Sequence, residues 1–105
     1  MIKVIAGYKL KEGANFAPVL RKLRSQAMQF PGFIGAENMV SDKDYHTVVL
    51  VSTWYKIEDW QQWQNLKIRQ GIINQAAPLL AEEPEVKTYS IVPTIRWFGL
   101  SLIHI

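Results

Sequence analysis

The order of strand-like and helix-like segments constrains this chain more than any other feature of its sequence. Four segments indicate strands. Residues 2–9 and 33–40 are mostly apolar, residues 46–55 are rich in β-branched and aromatic residues, and residues 85–92 alternate between polar and apolar residues. Apolar positions recur at helical spacing over residues 15–30, from a predicted N-cap at Asn15, and over residues 57–76, with a restart near Lys67. The order β-α-β-β-α-β predicts an α+β fold of the ferredoxin-like kind, with an antiparallel sheet and helices on one face.

Composition and charge are typical of one small globular domain. The chain has 105 residues, of which 49% are apolar and 20% charged. No apolar run reaches the roughly 18 residues of a membrane span, and the first residues lack the pattern of a signal peptide, so we expect a cytoplasmic protein. The net charge is +3, and no nucleic-acid motif accompanies the basic residues, so no nucleic-acid partner is predicted.

The absence of cysteine narrows the possible chemistry. It excludes disulfides, thiolate metal sites and cysteine nucleophiles. The sequence also lacks a glycine-rich phosphate loop, an HExxH motif, a nucleophile elbow and a dinucleotide-binding fingerprint.

Alternation along the third predicted strand gives the sheet two apolar faces. One set of positions is Val48, Leu50, Ser52 and Trp54, and the other is Thr47, Val49, Val51, Thr53 and Tyr55. The helices cover only one face, and a second apolar face of this size should not stay in contact with water. A homodimer that packs sheet on sheet is therefore predicted.

The last residues differ in character from the rest. Leu100–Ile105 is the peptide that CTG TCT CTT ATA CAC ATC would encode, and that DNA is the mosaic end of a transposon used to prepare sequencing libraries. We therefore predict a single domain over residues 1–99 and a non-native tail at residues 100–105. A short genuine terminal strand is the alternative.

Tryptophan is concentrated in WYKIEDWQQW, residues 54–63, which carries three of the four in the chain. Ile57, Trp60 and Trp63 form a stripe along a helix. The indole of Trp63 can stack on a flat substrate and donate one hydrogen bond, or it can pack in the core. Trp54 and Trp60 fit a core or an interface, and Trp60 is also a candidate substrate contact because it lies one turn from Trp63.

Few polar residues stand out as candidates for chemistry. His46 could act as a base near neutral pH, although its place at the start of a strand equally fits the surface. It has no acidic partner at helical spacing, so no metal site is predicted. Other residues could present polar groups to a pocket, namely Tyr8, Asn38 and Tyr89 from strands, and Arg69 and Arg96 as partners for a phenolate.

Three stretches, together with the segment order, resemble the antibiotic biosynthesis monooxygenase (ABM) family over roughly residues 1–92. They are PGFIGAE at residues 31–37, VVLVSTWYKIEDWQQW at residues 48–63 and VKTYSIV at residues 86–92. The resemblance implies a dimeric α+β barrel, in which two sheets face each other and each protomer has a pocket between its sheet and its helices. Members of the family include cofactor-free oxygenases acting on anthrones and quinols, haem-degrading enzymes and many proteins of unknown role.

The family's functional positions carry over only in part. Trp63 occupies a position where many members have histidine and where the haem-degrading members have a tryptophan that presses on the ligand. Those members also need a histidine where this chain has Ile73, and an asparagine where it has Gly7 and Tyr8, so the resemblance disfavours haem. Some anthrone-oxidising members have an asparagine one turn before the tryptophan, where this chain has Asp59.

The resemblance predicts a cofactor-independent monooxygenase that uses dioxygen to oxidise a small aromatic, quinol or anthrone-like substrate. Trp63 would stack on the substrate, and Asp59, if buried, or His46 would accept a proton. The other predicted substrate contacts are Trp60, Tyr8 and Asn38. One alternative is a non-catalytic module that binds an aromatic compound or haem on the same fold. Another is a structural dimer whose tryptophans fill the core.

Overall fold

A computed structural model describes residues 1–92, and the predicted order of elements is confirmed. The strands are β1 (Ile2–Lys9), β2 (Phe33–Val40), β3 (Thr47–Trp54) and β4 (Glu85–Ser90). The helices are α1 (Ala17–Ala27), α2 (Ile57–Gln64) and α3 (Lys67–Ala76), and a short 3-10 turn (Ala77–Leu79) follows α3. Arg96 and the predicted tail at residues 100–105 lie outside the described residues.

Predicted and observed boundaries agree closely for the strands. β1 and β2 span the predicted residues, whereas β3 is shorter at both ends and β4 stops at Ser90. The first helix begins at Ala17, and its N-cap is Phe16 rather than the predicted Asn15. The side chain of Asn15 lies one residue earlier and accepts a hydrogen bond from the Ala17 backbone N–H at 3.2 Å. It ends at Ala27, before the predicted end at residue 30, and the chain then turns through Gly32 at a positive φ of 86°.

The four strands form one antiparallel sheet in the order β2-β3-β1-β4. This is the ferredoxin-like arrangement that the segment order predicts. In the central pair, Ile2 lies opposite Trp54 and Tyr8 lies opposite Val48. Because side chains alternate along a strand, this register places the even-numbered residues of β1 and β3 on one face.

The helices cover that even-numbered face, which we call the inner face. Its side chains on the two central strands are almost all buried, namely Ile2, Val4, Ala6, Tyr8, Val48, Ser52 and Trp54, with Leu50 partly buried. Leu23 and Ala27 from α1, Trp60 and Trp63 from α2, and Ile72 from α3 pack against them. The core is therefore a single layer between the sheet and the helices.

The opposite face of the sheet, which we call the open face, has no helix over it among residues 1–92. Ile5 pairs with Val51, Met39 pairs with Val49, and these side chains lie beside one another across three strands. Met39 keeps 47% of its surface exposed. No helix in the described part of the chain is long and apolar enough to cross a membrane.

Candidate functional site

A cavity lies between the inner face of the sheet and the three helices. It is lined by Val4, Ala6, Tyr8, Leu23, Arg24, Ala27, Phe33, Leu50, Ser52, Trp54, Trp60, Trp63 and Arg69. Every strand except β4 and all three helices contribute to this wall. Its volume is about 30 Å³, room for roughly one water molecule.

Three of the residues that line the cavity are tryptophans whose rings contact one another. The ring of Trp63 stacks on that of Trp54, with centroids 6.5 Å apart and planes inclined by 26°, and Trp60 lies 6.0 Å from Trp54. The Trp54 indole N–H donates a hydrogen bond to Ser52 Oγ at 3.0 Å. Phe33 meets Trp54 edge to face. The concentrated tryptophans thus pack the core and wall the cavity at the same time.

Tyr8 and Arg69 both line the cavity, and each influences the pKa of the other. Burial raises the pKa of the Tyr8 hydroxyl, and the positive charge of Arg69 opposes part of that rise. Burial likewise lowers the pKa of Arg69, an effect that Tyr8 opposes. At neutral pH Tyr8 is therefore a neutral hydroxyl that can donate a hydrogen bond, and Arg69 remains a cation.

Two arginines reach the cavity from different helices. The Arg69 guanidinium, on α3, lies over the ring of Trp60 with its central carbon 5.1 Å from the ring centroid, a cation–π geometry. Arg24, on α1, is held by a hydrogen bond from its Nη1 to the Ala36 backbone oxygen of β2 at 3.1 Å. Within residues 1–92, no aspartate, glutamate or histidine lines this cavity.

Asp59, a predicted proton acceptor, is half-buried but does not line the cavity. Its side chain packs against the backbone of Gly32, where an added Cβ would lie 2.6 Å from the Asp59 Cβ. The carboxylate therefore faces the turn between α1 and β2. Its position in the first turn of α2 also suits the helix dipole.

His46, the other predicted proton acceptor, lies in the turn before β3 and does not line the cavity. Its Nε2 is 3.0 Å from Glu12 Oε2 and its Nδ1 is 3.3 Å from Asp44 Oδ1. The Thr47 hydroxyl donates to Asp44 at 2.8 Å and is the main cause of the lowered Asp44 pKa, about 2, followed by the His46 backbone N–H. This cluster ties together the loops after β1 and before β3, and the described residues hold no group suited to a metal ion.

The remaining predicted contacts divide between the cavity and other surfaces. Tyr8, Trp60 and Trp63 line the cavity together. Asn38 lies on β2 opposite Leu50, exposed and outside the cavity lining. Tyr89 lies opposite Lys3 on the open face, 52% exposed.

Sequence reasoning did not single out Ser52, Phe33 or Arg24 as site residues. Side chains alternate along β3, so Ser52 lies on the same face as Trp54, and this spacing of two residues could have predicted that Ser52 lines the cavity. No comparable signal marked Arg24, because its approach to the cavity depends on how α1 crosses the sheet.

Comparison with known proteins gives one family. The sequence model of the antibiotic biosynthesis monooxygenase family matches residues 1–75 of this chain. No curated protein matches its sequence. Among solved structures, the protein SO0527 from Shewanella oneidensis is 27% identical, with a TM-score of 0.73 over 84% of this chain and 87% of that one.

Two more distant structures share the same fold. SnoaB, a cofactor-independent oxygenase from Streptomyces nogalater, is 12% identical, with a TM-score of 0.78 over 90% of this chain and 95% of that one. Rv0793 from Mycobacterium tuberculosis is 15% identical, with a TM-score of 0.77 over 88% of this chain and 95% of that one. At these identities the likeness concerns the fold.

Proposed function

Because the chain belongs to the antibiotic biosynthesis monooxygenase family, we propose that it is a cofactor-independent monooxygenase. Its substrate would be a small aromatic, quinol or anthrone-like compound, oxidised with dioxygen. The observation that carries this proposal is the cavity under the helices, where Trp60 and Trp63 present aromatic surface beside the Tyr8 hydroxyl. SnoaB, which shares the fold, is described as a cofactor-independent oxygenase, and this supports the same class of reaction.

The proposed chemistry draws its electrons from the substrate. An electron-rich phenolate or enolate reacts with dioxygen, one oxygen atom enters the product as a carbonyl, and the other leaves as water. In an anthrone-like substrate the net change is CH₂ + O₂ → C=O + H₂O. One C–H proton is released to solvent when the substrate ionises, the second C–H proton is lost as the O–O bond breaks to give C=O and hydroxide, and solvent returns a proton so that the hydroxide leaves as water. The protein contributes a dry cavity and a fixed orientation of the ring.

The roles of individual residues follow from their place on the wall. Trp63 stacks on the substrate ring, Trp60 closes the side of the cavity, and the Tyr8 hydroxyl donates to a substrate oxygen. Asp59 and His46 face other parts of the protein, so the proposed reaction takes neither as its base. The acidic proton of the substrate is instead released to solvent.

Substrate entry requires side chains to move. Pockets for small organic ligands usually have volumes of about 300–1,000 Å³, whereas this cavity has about 30 Å³. Aromatic side chains such as Phe33 and Trp60 must therefore shift before a ring can fit.

A homodimer completes the proposal. The open face carries Ile5, Met39, Val49 and Val51 as adjacent apolar side chains. Pairing two such faces would remove this apolar surface from water and form the barrel that the family resemblance implies.

A non-catalytic aromatic-binding module is the second candidate. The absence of a carboxylate or imidazole from the cavity wall, among the residues described, favours it. On this alternative the same tryptophans would hold a flat ligand without reaction.

The test of the first proposal is oxygen consumption by the purified protein with a panel of quinols and anthrone-like phenols. We expect uptake above the spontaneous rate for at least one compound. With isotopically labelled dioxygen, one labelled oxygen atom should appear in the product and the other in water. If oxygen uptake equals that of the protein-free control across the panel while the same compounds bind tightly, the monooxygenase proposal is contradicted and the non-catalytic binding module is supported.

A further inference from the structure

The charge of the cavity is one-sided. Three ionisable side chains line it within residues 1–92, namely Tyr8, Arg24 and Arg69, and the two arginines are both cations. The rest of the wall is apolar or aromatic, apart from Ser52, whose hydroxyl accepts the Trp54 N–H. An apolar wall beside fixed positive charge disfavours cations and favours anions.

Of the two cavity cations, Arg24 donates to the Ala36 backbone oxygen, whereas Arg69 makes no hydrogen bond to the described residues. No carboxylate of the described residues lies within ion-pair distance of either cavity arginine. Arg69 is half-buried, and its guanidinium carbon lies over the Trp60 ring, 5.1 Å from the ring centroid. This cation–π contact stabilises the position of the guanidinium without using its N–H groups as hydrogen-bond donors to an oxygen, so they can donate to a ligand.

We infer that the cavity selects aromatic ligands that are already anions, and that Arg69 pairs with the negative oxygen while the Tyr8 hydroxyl donates to it. The ligand class is an aromatic ring bearing an ionised oxygen, as in a phenolate, an enolate or a carboxylate. This inference rests on the proposed function only in taking the cavity as the substrate site. Arg69 is thus a specificity-determining residue, and it also compensates for the missing base, because a ligand that arrives ionised needs none.

The physical reason is the environment of the charge. A charge-assisted hydrogen bond in a site shielded from water is stronger than a neutral one. A neutral ligand of the same shape would cover Arg69 and leave its charge without a partner, at a cost in desolvation. Arg24, tied to Ala36, adds a second positive charge to the same wall.

The experiment uses benzoate and benzamide, which have nearly the same shape and differ in charge. Binding to the intact protein is followed by NMR through the indole N–H resonances, which report on the tryptophan wall. We expect benzoate to bind at least about tenfold more tightly than benzamide. Arg69→Gln should abolish this preference, and Arg69→Lys should keep part of it.

Lys67→Gln is the matched control, because Lys67 is exposed on the same helix and its replacement changes the net charge equally. It should leave the preference for benzoate unchanged. Equal affinity for the two compounds in the wild type, no measurable binding of benzoate, or an unchanged preference in a folded Arg69→Gln protein would overturn the inference. If the protein prefers benzoate but consumes no oxygen with any compound of the panel, the inference of an anion site stands and the proposed monooxygenase activity is contradicted.

Discussion

Gly32 is the residue whose replacement the structure constrains most tightly. Its φ of 86° is in the left-handed region that glycine tolerates best, and the Asp59 side chain lies directly against it. Its backbone oxygen also accepts the Tyr55 N–H at 2.7 Å, which links the start of β2 to the end of β3. Gly32 is therefore the point where the loop between α1 and β2, the end of β3 and the first turn of α2 come into contact, and a side chain there would have no room.

Replacing Gly32 tests this packing. Gly32→Ala should lower the free energy of unfolding by about 2–4 kcal/mol, because backbone strain and the displacement of Asp59 add together. Gly13→Ala is the matched control, since Gly13 also has a positive φ of 74° but an added Cβ there meets nothing within 4 Å. It should cost about 1–2 kcal/mol. Equal losses in urea unfolding would show that Asp59 does not pack on Gly32 as described.

Side chains alternate along β3, and its inner-face positions include one polar residue, Ser52, beside the buried Trp54. Trp54 is fully buried on the inner face, and its indole N–H depends on Ser52 Oγ, two residues earlier on the same face. A polar residue within this apolar row is explained by that hydrogen bond, because a buried N–H without an acceptor is costly.

Removing the acceptor should destabilise the strand and the tryptophan wall. Ser52→Ala should lower the free energy of unfolding by about 1–3 kcal/mol, the cost of an unpaired buried donor. Ser90→Ala, at an exposed position on β4, should change it by less than about 0.5 kcal/mol. Urea unfolding followed by tryptophan fluorescence measures both, and similar small effects would contradict the role given to Ser52.

The helices and strands were largely predictable because their signals are local. The limits of β1 and β2 were found to the residue because strong turn residues flank these strands, namely residues 11–13 after β1, Pro31 and Gly32 before β2, and residues 41–44 after β2. The end of α1 was missed because Phe30 keeps the helical spacing and packs on Trp63 from outside the helix. Phe30 is therefore apolar because of its tertiary contact with Trp63, although its spacing is also the one expected within a helix.

The open face of the sheet is the surface through which two copies of the whole molecule would associate. Val51 lies near its centre, paired with Ile5 on one side and Glu37 on the other. A homodimer built on this face would bury Val51, and a lysine there would place a charge within the interface at a large desolvation cost.

Val51→Lys should therefore convert a dimer into a monomer in sedimentation velocity. Val40→Lys is the matched control, because Val40 is 52% exposed and lies on the inner-face side of β2, at its end. That variant should remain dimeric. A monomeric wild type, or a dimeric Val51→Lys protein, would exclude the proposed interface.

The site was harder to predict than the fold, because it is assembled from distant parts of the chain. The tryptophan stripe of α2 was visible in the sequence, and Trp60 and Trp63 do line the cavity. Asp59 precedes Trp63 by one helical turn, yet it packs on Gly32. That difference depends on where the turn after α1 docks, which no local pattern records. The neighbourhood of Tyr8 and Arg69 has the same origin, since β1 and α3 meet only in the folded molecule.

Oxidation inside the tryptophan-walled cavity is the central claim, and the oxygen uptake of Trp63 variants tests it most directly. Trp63→Ala should reduce the rate with an accepted substrate about a hundredfold, because the ring loses its orientation, and Trp63→Phe should reduce it less. Tyr45→Ala, at a side chain that is 77% exposed and off the cavity, should leave the rate unchanged. A folded Trp63→Ala protein that consumes oxygen at the wild-type rate would contradict the claim.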